Sequence, residues 1–415
     1  MMYPAIISRP SEKLVTHCEQ VGKRIVRQDC KSNSIGYWIG RLHDIGKATP
    51  YFQQYIDAEI YETHSYTDGN LKNHSKFGAF TTVIALQESD TIEASERDLL
   101  IAFSSILNHH SQIENVSETL ELLATDNAVL SQLTTQFNAI LENPHSKAVF
   151  TKLLPPDVTA EDIDHWYTES VLYKVVQKII NIEQTETEVY GTLTKYYGLL
   201  TFADKSSVVN LSNETLYTDR LDGTEIDTYI SNTIQPPTHK TSDSVTTNLN
   251  YYREEARKEA RSTLSETDLE HNHLLKLQLP TGFGKTFTAI DTALQIYKQK
   301  QNANIVYALP LTSIIDQVSE DLQSVFNYTP SSPALTEHHY RATTNSNLDT
   351  PTKEFDTEPY TSTIHAESWQ SDITLTTFVQ LLNSLKSPTN KQSLKLAGLQ
   401  NSILIIDEIQ HLPVK

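Results

Sequence analysis

The stretch LQLPTGFGKTFTAI, residues 277–290, constrains the fold more than any other part of this sequence. An apolar run, a loop with two glycines and the start of an apolar helix follow one another, which is the order found in a P-loop. In such a loop, backbone N–H groups wrap around phosphates and the helix N-terminus adds its dipole. The sequence therefore predicts a strand, a phosphate-binding loop and a helix within one α/β domain.

The stretch SILIIDEIQH, residues 402–411, supplies the acidic partner of this loop. Its apolar residues predict a buried strand that ends at Asp407 and Glu408. We expect Asp407 to hold Mg²⁺ and Glu408 to polarise the attacking water, while Lys285 reaches the β- and γ-phosphates of ATP. The residues expected to bind ATP with Mg²⁺ are Pro280, Thr281, Gly282, Phe283, Gly284, Lys285, Thr286 and Asp407.

The pattern of apolar residues divides the chain into two predicted domains. From residue 247 to 415, short β-like runs (LLKLQLP, NIVYALP, ITLTTF and SILIIDE) alternate with helical patterns, which favours a parallel sheet covered on both faces. Residues 1–215 instead place apolar residues three and four apart, as in LVTHCEQVGKRIV, KFGAFTTVIALQ, RDLLIAFSSILNHH and VYGTLTKYYGLLTFADKSSVV, and this predicts helices. Residues 111–175 look polar and irregular, like an insertion. Residues 216–246 lack apolar periodicity and contain a Pro pair, so we interpret them as a linker.

Composition limits the class of protein. A chain of 415 residues is too long for one comfortable core. The net charge of −19 argues against a generally basic surface for nucleic acid, although a local basic groove stays compatible with it. Two cysteines give no disulfide framework, the start lacks the pattern of a secretory signal, and no apolar run is long enough for a membrane span. These features predict a cytoplasmic protein without a membrane partner.

His43 and Asp44 are neighbours in RLHDIGKATP. Adjacent side chains on a helix point about 100° apart, so they gain little from each other, but they could converge on a shared metal ion. The alternative is an ordinary surface pair before a glycine that ends a helix. Imidazole and carboxylate ligands suit Mn, Fe, Co, Ni or Zn, and such ions lower the pKa of water. Further candidates of the same kind are His17, His74, His109, His110 and Asp204.

The order of these residues, H…HD…H…HH…D, resembles the HD-type metal-dependent phosphohydrolase superfamily, and the HH pair resembles its nuclease branch. The resemblance implies that Lys47 is a phosphate contact and that His43 and Asp44 act in catalysis. His64 lies outside this order. The implied ion is Mn, Co, Ni or Fe, with Mg possible. The implied metal ligands are His17, His43, Asp44, His74, His109, His110 and Asp204.

The motifs LPLTSIIDQ and TTFVQLLNSL resemble the DNA-strand-contacting motifs of superfamily 2 helicases. The hydroxyls of Thr312, Ser313, Thr376 and Thr377 could bond DNA phosphates, or they could simply cap helices. Together, the two motif sets resemble the type I CRISPR-associated helicase-nuclease. That resemblance implies an all-α HD-type domain followed by an α/β RecA-like P-loop domain with a parallel sheet.

The same resemblance implies what the protein does. It implies nicking and degradation of single-stranded DNA, ATP-driven 3′ to 5′ translocation, and recruitment to a CRISPR guide-RNA surveillance complex. The sequence ends soon after Glu408, so we expect a second RecA-like domain to be missing and to be supplied in cis or in trans. Two alternatives stay open: an HD phosphohydrolase that acts on nucleotides and carries a regulatory P-loop domain, or a catalytically idle binding protein.

Overall fold

Two compact units make up the described chain. The computed structural model describes residues 6–10, 12–29, 35–60, 70–113, 115–167, 186–208, 221–239, 245–300, 303–327, 334–338, 367–386 and 389–411. The first unit, here called the helical unit, holds the described residues within 1–211 and 384–400. The second, called the sheet unit, holds those within 212–347, 361–383 and 401–415. None of the described helices combines the length and apolar character that a membrane crossing needs.

The helical unit begins with two short antiparallel strands, β1 (Ile7–Arg9) and β2 (Glu12–Lys13), which we call the N-terminal hairpin. Short 3₁₀ turns span Ile45–Ala48 and Asp164–Tyr167. The helices are α1 (Leu14–Asp29), α2 (Ile35–Leu42), α3 (Pro50–Ile60), α4 (His74–Glu88), α5 (Glu96–Leu107), α6 (Val116–Thr125), α7 (Asn127–Glu142), α8 (Pro144–Leu153) and α9 (Glu186–Val208). The four stretches predicted as helices lie in α1, α4, α5 and α9.

The described part of 111–175 is largely helical, so the prediction of an irregular segment was wrong. Helix α7 buries Leu133, Phe137 and Ile140, which are spaced four and three apart along one face. The Asp126 carboxylate caps α7 by accepting hydrogen bonds from two backbone N–H groups, and Asn143 caps α8 in the same way. The many polar residues of the exposed faces and caps hid this periodicity in the sequence.

Two glycines let backbones approach closely where the histidines lie. A Cβ atom on Gly40 of α2 would lie 2.7 Å from the backbone of Gly22 of α1, so the two helices cross with nothing between them. A Cβ on Gly46 would lie 2.6 Å from the carbonyl oxygen of His74. The turn after α2 therefore packs directly against the start of α4.

The sheet unit contains a parallel sheet of four strands in the order β4-β5-β3-β6. The strands are β3 (Ile305–Leu309), β4 (Leu335–His338), β5 (Ile373–Thr377) and β6 (Ile403–Ile406). The helices are α10 (Glu225–Tyr229), α11 (Val245–Ser265), α12 (Lys285–Tyr297), α13 (Thr312–Phe326) and α14 (Phe378–Lys386), of which residues 384–386 belong to the helical unit. A π-helical turn spans Ile230–Ile234, and a 3₁₀ turn spans Ile409–His411. Every residue of β3 and β5 is buried, as expected for the centre of a parallel sheet.

Three features of the sheet unit differ from the sequence interpretation. Strand β6, expected to be buried, is partly exposed at Leu404 and Ile406, because it lies at the edge of the sheet. The run LLKLQLP is irregular and exposed, and Leu274 has 93% of its side-chain surface exposed, so the strand expected there is not formed. No described strand pairs with it, and an unpaired extended run gains no ladder hydrogen bonds. In addition, Leu221 and Ile226, within the stretch interpreted as a linker, are buried in the core around β3 and β5.

A late segment of the chain belongs to the helical unit. Helix α15 (Asn390–Leu399) lies between α14 and β6 in sequence and packs against α9. The Tyr190 hydroxyl of α9 also donates a hydrogen bond to the carbonyl of Leu385, at 3.0 Å. Helix α9, which carries Asp204, is therefore packed against α15 as well as α1 and α5.

Candidate metal centre and phosphate loop

Five segments of the helical unit bring histidines and aspartates to one place. His17 lies in α1, His43 and Asp44 follow the end of α2, and Asp204 lies near the end of α9. The donor atoms form two groups, within each of which they lie within 4.8 Å of one another. The first group is His17, His43, Asp44 and Asp204, and the second is Asp44, His74, His109 and His110. The seven residues expected as metal ligands all lie in these groups.

Asp44 belongs to both groups. Its Oδ1 atom lies 3.3 Å from His74 Nε2 and 3.6 Å from His109 Nε2. Its Oδ2 atom lies 3.2 Å from His17 Nε2 and 3.4 Å from His43 Nε2. One carboxylate thus faces two donor sets with two different oxygens, which is the arrangement of a carboxylate that bridges two metal ions.

Backbone carbonyls orient two of the imidazoles. His43 Nδ1 lies 2.7 Å from the carbonyl oxygen of Gly40, and His109 Nδ1 lies 2.6 Å from that of Ile106. A carbonyl oxygen can only accept, so each Nδ1 carries a proton and donates it. In the neutral ring, Nε2 is then left with its lone pair directed at the cluster.

Burial and charge act together on these groups. Burial lowers the pKa of His17, but the carboxylates of Asp204, Asp44 and Glu12 outweigh it and raise that pKa to about 10. Burial raises the pKa of Asp44, but the charges of His43 and Lys47 and the neighbouring imidazoles bring it well below its usual value. Around His17 the carboxylates therefore favour a proton or a cation, whereas burial and the charges of His109, His74 and Lys47 hold the pKa of His110 well below its usual value.

The donor set fits a divalent transition metal. Among the described residues, the Nε2 atoms of His17 and His43 and the Oδ1 atom of Asp44 are buried without a hydrogen bond. Buried polar atoms that make no hydrogen bond are costly, and a metal ion satisfies them. Imidazole nitrogens with carboxylate oxygens are the ligands that Mn, Fe, Co, Ni and Zn accept.

Three hairpin residues next to the cluster were missed in the sequence. Arg9 Nη2 lies 2.6 Å from Asp204 Oδ1, Ser8 Oγ lies 3.4 Å from Asp44 Oδ2, and Glu12 Oε2 lies 3.2 Å from His17 Nδ1. Strands of three and two residues carry no usable periodicity, so no sequence signal pointed to them. His64 falls in 61–69, outside the described residues.

Lys47 lies in the wall of the cluster. Its Nζ atom lies 3.0 Å from Asp44 Oδ2 and 5.3 Å from the centre of the Phe52 ring, and its side chain is 3% exposed. The family resemblance implies a phosphate contact for Lys47, and this stays a prediction. In this structure the charge of Lys47 is paired with Asp44 and shielded from solvent.

In the sheet unit, the phosphate loop meets the acidic end of β6. Gly282 and Gly284 adopt left-handed backbone conformations, with φ values of 86° and 74°, before α12 begins at Lys285. Lys285 Nζ lies 2.7 Å from Glu408 Oε1 and 3.1 Å from Asp407 Oδ1. The loop lysine and both acids are thus together, with the lysine occupied by carboxylates.

Neighbouring side chains support this loop and strand end. The Tyr307 hydroxyl of β3 donates to Asp407 Oδ2 at 2.9 Å. Arg253 Nε of α11 donates to the carbonyl of Gly282 at 2.8 Å, and the rings of Tyr252 and Phe283 are 6.1 Å apart. Tyr307 and Arg253 were not singled out in the sequence, because neither belongs to a recognisable motif there.

Two hydroxyls predicted to be available for DNA are engaged within the sheet unit. Thr376 is fully buried and donates to the carbonyl of His338 at 3.0 Å. Thr377 accepts a hydrogen bond from the backbone N–H of Gln380 at the start of α14. The capping interpretation therefore describes Thr377, and burial removes Thr376 from solvent. Thr312 and Ser313 begin α13.

Comparisons with known proteins found a family model, a curated protein and solved structures that are similar to this chain. Residues 246–415 match the family model described as "Type III restriction enzyme, res subunit". The CRISPR-associated nuclease/helicase Cas3 of Haloferax volcanii is 32% identical in an alignment of 407 positions that covers 90% of this chain and 42% of that protein. The crystal structures of T. fusca Cas3 with AMPPNP and with ATP are both 16% identical, with TM-scores of 0.47 and 0.43. These alignments cover 95% and 96% of this chain and 45% of each T. fusca chain, so this chain spans less than half the length of its relatives.

Proposed function

We propose that the helical unit of this chain, which is similar to the CRISPR-associated nuclease/helicase Cas3 of Haloferax volcanii, is an HD-type nuclease that cleaves single-stranded DNA with divalent metal ions. The observation that carries this proposal is the position of Asp44, whose two carboxylate oxygens face two separate sets of imidazoles. Sites for two ions occur in nucleases and phosphatases, where the ions stabilise the attacking and leaving oxygens.

Each group of residues has its own proposed role. His17, His43, Asp44 and Asp204 would hold one ion, and Asp44, His74, His109 and His110 the other. Ions held there supply Lewis acidity and lower the pKa of water. Lys47 holds Asp44 in place by their buried ion pair. A contact between Lys47 and a phosphate requires this pair to open.

We propose a helicase motor in the other half. Lys285 and Thr286 would bind the phosphates and Mg²⁺ of ATP, Asp407 would hold Mg²⁺, and Glu408 would polarise water. The pairing of Lys285 with Glu408 in the structure supports this, because the β- and γ-phosphates can replace the carboxylates around Nζ. The matching family model over 246–415 supports a RecA-like domain that follows the HD-type domain.

The activity of the longer protein is likewise a proposal. ATP-driven 3′ to 5′ movement on DNA, recruitment by a CRISPR guide-RNA surveillance complex and completion of the ATP site by a second RecA-like domain rest on the family resemblance. Within this chain, we expect the nuclease in residues 1–215 and the helicase domain in residues 247–415. The stretch 216–246, interpreted from the sequence as a linker, contributes Leu221 and Ile226 to the core of the sheet unit.

The test is cleavage of circular single-stranded DNA by the 415-residue chain without ATP, with Mn²⁺, Co²⁺, Ni²⁺, Mg²⁺ or anaerobic Fe²⁺. We expect cleavage with at least one transition metal, its loss on addition of EDTA, and its loss in Asp44→Asn. His165→Gln is the matched control, because His165 is exposed in the same unit. Undiminished cleavage by Asp44→Asn would remove the assignment, and a preference for nucleoside triphosphates over DNA would favour the nucleotide phosphohydrolase.

A further inference from the structure

His17 is oriented differently from the other imidazoles of the metal centre. His43 and His109 follow the ends of helices, where a carbonyl three residues back is available to accept from Nδ1. His17 lies within α1, where the carbonyls are engaged in the helix. Its Nδ1 needs an acceptor from elsewhere in the chain.

That acceptor is on the N-terminal hairpin. Glu12 Oε2 lies 3.2 Å from His17 Nδ1, while His17 Nε2 faces Asp44 Oδ2 at 3.2 Å and Asp204 Oδ1 at 3.3 Å. Ser207 Oγ lies 3.3 Å from the same Nδ1. Because this hydroxyl donates its proton to the carbonyl of Asp204, its oxygen can act only as a second acceptor for Nδ1. A carboxylate is the stronger of the two acceptors, because a hydrogen bond to a charged group is roughly twice as strong as a neutral one.

The hairpin is held firmly enough to place Glu12. The Arg9 and Glu12 positions pair across β1 and β2, and the backbone N–H of Leu14 donates to the carbonyl of Ile6 at 3.1 Å. The Gln53 amide of α3 accepts from the N–H of Ile7 at 3.1 Å and donates to its carbonyl at 2.9 Å. The same amide donates to the carbonyl of Lys47, so it joins the hairpin to the turn after Asp44.

From these contacts we propose that Glu12 is a positioning residue of the metal centre. It fixes His17 in the orientation and tautomer that present Nε2 to a metal ion, and its charge makes that nitrogen a better donor. The hairpin is thereby part of the metal centre. This inference rests on the proposed function, because it assumes that the His17 group binds a metal.

The test measures metal affinity directly. Mn²⁺ and Co²⁺ are titrated into the 415-residue chain by calorimetry, and the visible absorption of bound Co²⁺ is recorded. We expect Glu12→Ala to weaken one of two binding steps by roughly 10- to 100-fold, the effect typical of removing a partner of a metal-bound histidine. The other step should change less than about threefold, because the contact of Glu12 is with His17, and His17 belongs to the first group alone. The Co²⁺ spectrum should shift, since the donor strength of His17 changes.

Matched variants separate positioning from folding. Glu19→Ala removes another glutamate near the start of α1, whose partner is the exposed Lys23, and should change neither step. Glu12→Gln keeps the shape and an amide oxygen, so its affinity should fall between those of Glu12→Ala and the native chain. Ser207→Ala should have a smaller effect than Glu12→Ala.

Three results would overturn the inference. One is a Glu12→Ala chain with both affinities and the Co²⁺ spectrum unchanged. Another is a loss in Glu12→Ala that accompanies general unfolding by circular dichroism while the folded Glu12→Gln chain matches the native affinities. If the native chain binds no divalent ion, the proposed metal centre fails together with this inference, whereas two intact binding steps in Glu12→Ala defeat this inference alone.

Discussion

Each unit of this chain contains a lysine paired with an aspartate at almost the same distance, yet the two pairs lie in different surroundings. Lys47 and Asp44 are 3.0 Å apart with side chains 3% and 1% exposed. Lys285 and Asp407 are 3.1 Å apart with side chains 35% and 14% exposed. Distance alone would rank them as equals. Burial makes the first a fixed part of its unit and leaves the second able to open.

The difference has a physical basis. Removing one partner of a buried pair leaves a charge without solvent or counter-ion, which costs about 3 to 5 kcal/mol. An exposed pair gains little, because water solvates both charges when they separate. The buried pair suits a role in shaping a metal centre, and the exposed pair suits a lysine that must exchange carboxylates for phosphates.

The largest expected effect is that of breaking the buried pair. In the metal-free chain, Asp44→Ala should lower the free energy of unfolding of the helical unit by about 3 to 5 kcal/mol, because Lys47 keeps a buried charge without its carboxylate. Hydrogen–deuterium exchange of peptides from α1 and α2, measured in EDTA, reports this unit separately. Adding Lys47→Met to Asp44→Ala should restore part of the loss. Unchanged protection in Asp44→Ala would mean that the pair is not buried in solution.

A second expected effect concerns pH in the metal-free chain. The pKa of His17 is raised to about 10 in the folded state, above its ordinary value of 6.5, so protonation of His17 stabilises the fold. That contribution is complete below pH 6.5 and is lost as the pH rises through 10. Protection of α1 in EDTA should therefore decrease between pH 6.5 and 10.

Metal reverses this dependence. A bound ion replaces the proton on His17, so binding should release protons at neutral pH, and affinity should increase with pH. Calorimetric titrations in buffers of different ionisation enthalpy count the released protons. His17→Gln should lose both the release and the alkaline decrease in protection. A native chain with equal protection at pH 7 and pH 10 would contradict the raised pKa.

The sequence predicted the ligand types of the metal centre but not what orients them. The resemblance to the HD superfamily selected His17, His43 and Asp204, and the structure brings their donor atoms together. Glu12 could not be selected, since its role depends on a hairpin too short to show a pattern. The periodicity of α7 was likewise not recognised, because polar residues make up half of this helix. For the run LLKLQLP the error was the opposite one, since a strand was predicted and none is formed. Apolar residues favour a strand only where a partner strand is present.

A smaller effect should follow from a single hydroxyl in the sheet unit. Tyr307→Phe removes the hydrogen bond to Asp407 Oδ2, and a hydrogen bond to a charged group contributes about 1.5 to 3 kcal/mol. Because Asp407 is expected to hold Mg²⁺, the affinity for ATP should fall in the presence of Mg²⁺ and stay unchanged in EDTA. Fluorescent-nucleotide titrations under both conditions test this. Tyr229→Phe is the control, and equal losses with and without Mg²⁺ would indicate a general disturbance of the loop.

The smallest expected effect on stability comes from opening the exposed pair. Lys285→Met should change the free energy of unfolding of the sheet unit by no more than about 1 kcal/mol, because Asp407 and Glu408 remain partly solvated without the lysine.

Nucleotide binding should respond in the opposite way, since the lysine is the group expected to reach the β- and γ-phosphates. Lys285→Met should therefore abolish ATP binding in the fluorescent-nucleotide titration. Hydrogen–deuterium exchange of the sheet unit in the same variant should stay near the native value. Lys47→Met, measured alongside, should leave ATP binding intact and weaken the protection of α2. The contrary outcome is a loss of sheet-unit protection in Lys285→Met as large as the loss of helical-unit protection in Asp44→Ala. It would show that the site of a lysine with 35% exposure does not solvate the charges that remain when the lysine is removed. The contrast between the two pairs would then lie in their partners rather than in burial.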